Sequence, residues 1–221
     1  WITQSSGANS SAFNFKPISS IYFISQNIGY VISNQPALYT QSAIIGTTDG
    51  GLTWGSVSGA PLNKGGNSIS FVKGNPSKGY IVANGSQVIR VYIGSSWPQS
   101  TSTTNTSTQN CVSIANDSIA FSVSDGGYIA KTINSGASWT ETHPTTNNLN
   151  GVFFINKNLG HVVGNNTALK TTDGGLTWLP QTTYNILNNA FATPMLKSIY
   201  FINDSVGFTS GNGLILRYSA N

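Results

Sequence analysis

Charge is what this chain has least of: 7% of its 221 residues are charged, and only six residues carry a carboxylate. The ten lysines and arginines give a net charge of +4 and an isoelectric point near 9.2, but they are scattered and form no basic run. A nucleic-acid-binding stripe is therefore not expected. The single cysteine, Cys111, excludes a disulfide framework and leaves the redox compartment open. Cys111 opens an inner apolar strand, which makes it a small buried hydrophobe, with a reactive thiol as the alternative. Two separated histidines, His143 and His161, and few carboxylates cannot assemble a transition-metal ligand set, so neither metal nor cofactor is expected. No apolar stretch reaches the ~20 residues needed to span a membrane, and no signal peptide is visible.

What the chain does have is repetition. One short phrase occurs three times, as Thr48-Asp49-Gly50-Gly51-Leu52-Thr53-Trp54, Ile133-Asn134-Ser135-Gly136-Ala137-Ser138-Trp139 and Thr172-Asp173-Gly174-Gly175-Leu176-Thr177-Trp178. A degenerate copy, Tyr92-Ile93-Gly94-Ser95-Ser96-Trp97, falls between the first two. The tryptophans at 54, 97, 139 and 178 thus recur about every forty residues, the interval of a repeat architecture. The phrase reads as a structural clasp. Asp49, Asn134 and Asp173 can accept hydrogen bonds from nearby backbone N–H groups, and Gly51, Gly136 and Gly175 supply positive φ. Thr53, Ser138 and Thr177 follow, and Trp54, Trp139 and Trp178 open the next strand with a large apolar side chain.

Ahead of each phrase stand two β-branched and aromatic runs separated by a polar turn, for example Ile21-Tyr22-Phe23-Ile24 then Gly29-Tyr30-Val31-Ile32, and Val152-Phe153-Phe154-Ile155 then Gly160-His161-Val162-Val163. Such runs predict strands. Five four-stranded units at this period predict an all-β, five-bladed β-propeller filling residues 1–221 as one domain. The fifth unit ends after its third strand, Leu214-Ile215-Leu216-Arg217-Tyr218, before any Trp. The interval from Trp178 through Asn221 and on to Trp1 restores the period, so Trp1-Ile2-Thr3-Gln4 is expected to complete the last blade and close the ring.

The sequence resembles the Asp-box, or bacterial neuraminidase repeat, β-propellers. Gly160-His161-Val162-Val163-Gly164 followed by Leu169-Lys170-Thr171 and the third phrase looks most like the photosystem II stability/assembly factor-like repeat family. The resemblance covers almost the whole chain and implies the fold. It also raises the question of an enzyme, because Asp-boxes occur in sialidases and some glucanases. Sialidases use three arginines on the substrate carboxylate, whereas this chain has only Arg90 and Arg217, both on third strands. Other glycoside hydrolysis needs two carboxyl groups facing each other across the bond. Asp49 and Asp173 belong to the clasps, Asp117 and Asp204 to polar turns, Asp125 to a Gly-rich hairpin, and Glu141 on an outer strand has no evident partner. No enzyme is expected. His161 takes the slot of Tyr30, Tyr80, Phe121 and Phe208, which reads as a packed structural histidine.

Segments 5–18, 35–42, 59–67, 98–110, 143–149 and 183–196 are the long ones, and all connect a fourth strand to a first or a second to a third. All six therefore crowd one face, where binding sites arise on a rigid scaffold. Phe13, Phe15, Tyr39, Tyr184 and Phe191, among neutral amides and hydroxyls, are the candidate ligand-binding residues, set against plain packing of each loop onto its own blade. Arg90, Lys131, Lys170 and Arg217 recur on third strands, either as snorkelling side chains or as a repeated anion notch. The expected function is a non-catalytic recognition or scaffold module, extracellular or at the cell surface, binding a protein or glycan as part of a larger surface protein. A lectin is the first alternative and a degenerate glycosidase the second.

Overall fold

The computed structural model describes residues 17–34, 44–57, 66–73, 75, 77–84, 88–91, 105–182, 184–185, 190–191 and 195–219. The expected closing strand at Trp1–Gln4, the degenerate phrase at 92–97, and Phe13, Phe15 and Tyr39 lie outside the described residues. What is described is β throughout, apart from a single 3-10 turn at Asp125–Gly127.

The first unit is an antiparallel sheet of β1 (Ile18–Phe23), β2 (Gly29–Ser33), β3 (Ile44–Thr47) and β4 (Gly55–Ser56) in spatial order. The second has β5 (Gly66–Phe71), β6 (Gly79–Ala83) and β7 (Val88–Val91). The third has β8 (Gln109–Ile114), β9 (Ala120–Ser124), β10 (Ile129–Thr132) and β11 (Thr140–Thr142). The fourth has β12 (Leu149–Phe154), β13 (Gly160–Gly164), β14 (Thr167–Thr171) and β15 (Leu179–Pro180). A short hairpin of β16 (Tyr184–Asn185) and β17 (Ala190–Phe191) follows, and then β18 (Ser198–Phe201), β19 (Val206–Gly211) and β20 (Leu214–Ser219) form the fifth unit.

The second strand of each of the first four units is buried at every position: neighbouring units cover both faces of β6, β9 and β13, while on the far face of β2 Val31 packs with Ile45 and Trp54 of its own unit. That is why these strands read as continuous apolar runs rather than alternating ones. The innermost strands pack in the order β1, β5, β8, β12, β18, and the core lies between units. Tyr30, Ile32 and Ile44 of the first unit meet Ile69, Phe71 and Ile81 of the second; Phe121 of the third stacks on Phe154 of the fourth at 3.6 Å.

Two local devices repeat. At the end of the first strand in four of the five units, an aromatic ring covers a glycine at or near the start of the second. A Cβ on Gly29, Gly79, Gly160 or Gly207 would come within 2.7, 2.6, 2.5 and 2.5 Å of the rings of Phe23, Phe71, Phe154 and Phe201. Where the third unit has Ala120 instead, the facing residue is Ile114, so the pair changes size together. Gly160→Ala should therefore cost about 1–3 kcal/mol through overpacking, read as a lower urea midpoint. Adding Phe154→Ile should recover part of that loss. A neutral Gly160→Ala, or a double variant no better than the sum of its parts, would contradict this.

The second device is a β-bulge near the start of the first strand in each of the first four units, which leaves residues 19, 67, 110 and 150 outside the ladder. Their side chains turn sideways onto the next unit. Ser19 Oγ donates to the Gly66 carbonyl at 2.6 Å, and the Nδ2 groups of Asn67, Asn110 and Asn150 donate to the carbonyls of Gln109, Leu149 and Leu196 at 2.7–2.8 Å. Several segments expected as loops accordingly end a residue or more early: Ile18, Gly66, Asn67, Gln109, Asn110 and Leu149 are already strand residues. The outer strands likewise begin one residue after Trp54, Trp139 and Trp178, not at them.

Candidate functional site

Antiparallel alternation sends the turns between first and second strands, and the three clasps, to one side of the sheets. The second-to-third connections and the links between units go to the other. The clasp side is saturated with local hydrogen bonds. Asp49 Oδ1 accepts from the Thr53 amide at 2.9 Å and Oδ2 from the Thr53 hydroxyl at 2.5 Å; Asp173 repeats both bonds with Thr177 and also accepts the Leu176 amide. Asn134 accepts the Ser138 amide and donates Nδ2 to its hydroxyl. Gly50, Gly51, Gly136, Gly174 and Gly175 sit at positive φ, and Ser135 takes the same left-handed conformation without being glycine. The Gly50, Ser135 and Gly174 amides bond the carbonyls of Asn27, Ser118 and Asn158, tying each clasp to the first-to-second-strand turn of its own unit.

Sequence reading missed the residue that anchors each clasp. Thr47, Thr132 and Thr171 accept the Gly51, Gly136 and Gly175 amides at 2.8–2.9 Å and donate to the Asp or Asn two positions later. Their recurrence at one offset was the available signal. Each following Trp lies edge-on to another aromatic ring: Trp54 to Phe23, Trp139 to Tyr80 and Trp178 to Phe154.

On the opposite side, Tyr184 and Phe191 are directly opposed register partners in the β16–β17 hairpin, so two of the five candidate ligand residues are brought together in a segment expected to be a plain loop. The connection 143–148 is fixed to the turn at 125–127. The Gly126 amide donates to Asn148 Oδ1 at 2.9 Å, His143 Nε2–H donates to the Gly126 carbonyl at 2.6 Å, and the His143 ring stacks on Tyr128 at 4.4 Å. Beside them Asn105 Nδ2 reaches Glu141 Oε1 at 2.5 Å, giving the glutamate the partner that was not evident in sequence. Tyr128, His143, Asn105 and Asn147 thus form a polar and aromatic patch on the long-connection side. Only the Asn-rich composition of 143–149 hinted at it.

Of the third-strand cations, Lys131 and Lys170 are bonded within the fold. Lys131 Nζ lies 2.7 Å from the Gly174 carbonyl of the next unit's clasp and 5.6 Å from the Phe121 ring centroid. Lys170 Nζ bonds Tyr218 Oη at 2.9 Å. Both bridge neighbouring units where an anion notch had been the alternative, and Arg217 is exposed. Asp125 accepts from Asn110 and Asp204 from Ser205. The Cys111 thiol lies near Ser68 Oγ and the Val152 carbonyl, and burial pushes it up.

His161 is buried, stacked on Phe201 at 4.2 Å and edge-on to Tyr218. Burial, and then the charge of Lys170, lower its pKa from 6.5 to about 4. Hydrogen bonds from Thr53 and Thr177 lower Asp49 and Asp173 to about 2. As pH falls, unfolded His161 takes up a proton below 6.5 while the folded state does not, so stability should decline from pH 6.5 to about 4. The clasp carboxylates add their loss only between about 4 and 2. His161→Phe, which copies Phe121 and Phe208, should abolish the first stage in melting curves at stepped pH. An unchanged decline above pH 4 would contradict it.

No protein-family model matches this sequence, and no curated protein does. Solved structures do. The chain is similar to YCF48 from Cyanidioschyzon merolae, with a TM-score of 0.65 at 15% identity over 93% of this chain and 70% of that one. It is similar to the WD40 β-propeller domain of Doa1, with a TM-score of 0.68 at 10% identity over 93% of this chain and 66% of that one. It is also similar to a GH74 enzyme from Niastella koreensis, with a TM-score of 0.64 at 18% identity over 87% of this chain but 34% of the enzyme. At these identities the likeness is one of fold: an all-β repeat structure of the propeller kind, whose sheets are its blades.

Proposed function

We propose that this chain is an Asp-box propeller that works as a non-catalytic recognition or scaffold module, engaging a protein partner through the face that carries its long connections. One observation carries the reading. Asp49, Asp125, Glu141, Asp173 and Asp204 are bonded within the fold and Asp117 lies in a polar turn, while the long segments of the sequence all lie on the face opposite the clasps. A glycosidase needs a pair of carboxyl groups held open across the scissile bond, and Asp49 and Asp173 are each closed off by a threonine hydroxyl and backbone amides. Rigid sheets presenting elaborated connections suit binding.

A glycan is the second reading, favoured by the Tyr128–His143 stack on the long-connection side, since aromatic faces suit sugar rings. A secreted or cell-surface setting accords with a polar, weakly charged surface. Probing the full chain against a peptide array and a glycan array, with a reducing-sugar assay run on every glycan retained, separates the readings. Retention of peptides without turnover is the expected result; release of reducing sugar would overturn the non-catalytic reading.

A further inference from the structure

The two ends of the blade series are bare in matching ways. On the first blade, the side turned away from the second carries Ile21 and Phe23, which are 57% and 41% exposed. At the same registers in later blades, Ile69, Val112, Val152, Phe71 and Phe154 are all 3–5% exposed, each covered by the preceding blade. On the fifth blade, the side turned away from the fourth carries Phe208 and Ile215, which are 39% and 79% exposed. Their counterparts Tyr30, Tyr80, Phe121 and His161, and Ile44 and Ile129, are buried against the blade that follows.

We propose that these two faces are the halves of one further blade-to-blade interface, and that the occupant of each is a second copy of this chain, packed head to tail. Continuity with the internal interfaces supports it. Each is built from the same halves, an aromatic or histidine slot of one blade against the Ile/Val and the Phe or Ile of the next, and each half is present at one end of the chain. The polar bridges continue too: Lys131 and Lys170 reach across to the following blade, and the fifth blade has Arg217 at that register, exposed. The likeness to longer propellers favours another copy over the chain's own far end, since 93% of this chain follows 70% of YCF48 and 66% of the Doa1 propeller domain. A contact between unlike faces is heterologous and propagates head to tail.

Sedimentation of the full chain over about two decades of concentration tests this by mass action. Average mass should rise with concentration. Ile21→Glu, which spoils only the first-blade face, and Ile215→Glu, which spoils only the fifth-blade face, should each be monomeric throughout, with melting temperature and near-UV circular dichroism unchanged. Mixed one to one, they should form a complex of two chains and nothing larger, since one intact face of each kind remains. A wild-type chain that stays monomeric overturns the proposal in favour of closure within the chain. Continued self-association of either variant overturns it in favour of contact between like faces. Should either glutamate variant melt early, Ile21→Thr and Ile215→Thr supply the same mixing experiment with a smaller perturbation.

Discussion

Replacing Gly127 by alanine should cost the fold about 3 kcal/mol or more, combining a left-handed backbone with a clash that no side chain can relieve. Gly127 has φ of 84°, and a Cβ there would sit 1.7 Å from the Thr145 carbonyl oxygen and 2.6 Å from its carbon. Both are backbone atoms of the connection that carries His143 and Asn147, so relief requires that connection to move bodily. The neighbouring Gly126 provides the control. Its φ is 73°, but the nearest atom to an added Cβ is Tyr128 Cε2 at 3.3 Å, on a side chain that can give way. Gly126→Asn should therefore be nearly neutral, since Asn tolerates the left-handed region. Urea unfolding of the three proteins checks the order; equal midpoints for Gly127→Ala and wild type would refute the packing described here.

The repeat was legible because it is written in large, chemically distinctive residues. Trp54, Trp139 and Trp178 mark the period, and the glycines that open β2, β6 and β13 mark second strands. What escaped is carried by small residues whose role depends on partners elsewhere in the chain. Thr47, Thr132 and Thr171 look like ordinary strand residues until the Gly51, Gly136 and Gly175 amides fold back onto them. Asn67 and Asn110 read as loop residues because amides disfavour strands; a bulge frees each of them, and Asn150, to bond the next blade, and nothing in local sequence announces the bulge. The His143–Tyr128 stack joins two connections of one blade, so neither residue marks it alone. Of the candidate site, the pairing of Tyr184 with Phe191 was out of reach for a related reason: a two-residue ladder is too short to carry a period.

The recognition reading makes its strongest claim about the long-connection face. Aromatic anchors in a working interface contribute about 1–2 kcal/mol or more each, so replacing Tyr39, Tyr184 and Phe191 together by alanine should weaken binding at least about tenfold. Stability should change little, because all three fall in the long connecting segments of the sequence. The control is the opposite kind of change. Lys131→Ala and Lys170→Ala remove bridges between blades and should lower the melting temperature while leaving affinity, measured on folded protein, intact. The decisive measurement is titration calorimetry of wild type, the triple variant and the two lysine variants against the strongest array peptide. The reading predicts at least tenfold loss in the triple variant alone; full affinity in that variant, with binding abolished by Lys131→Ala or Lys170→Ala, would contradict it and move recognition to the third-strand lysines.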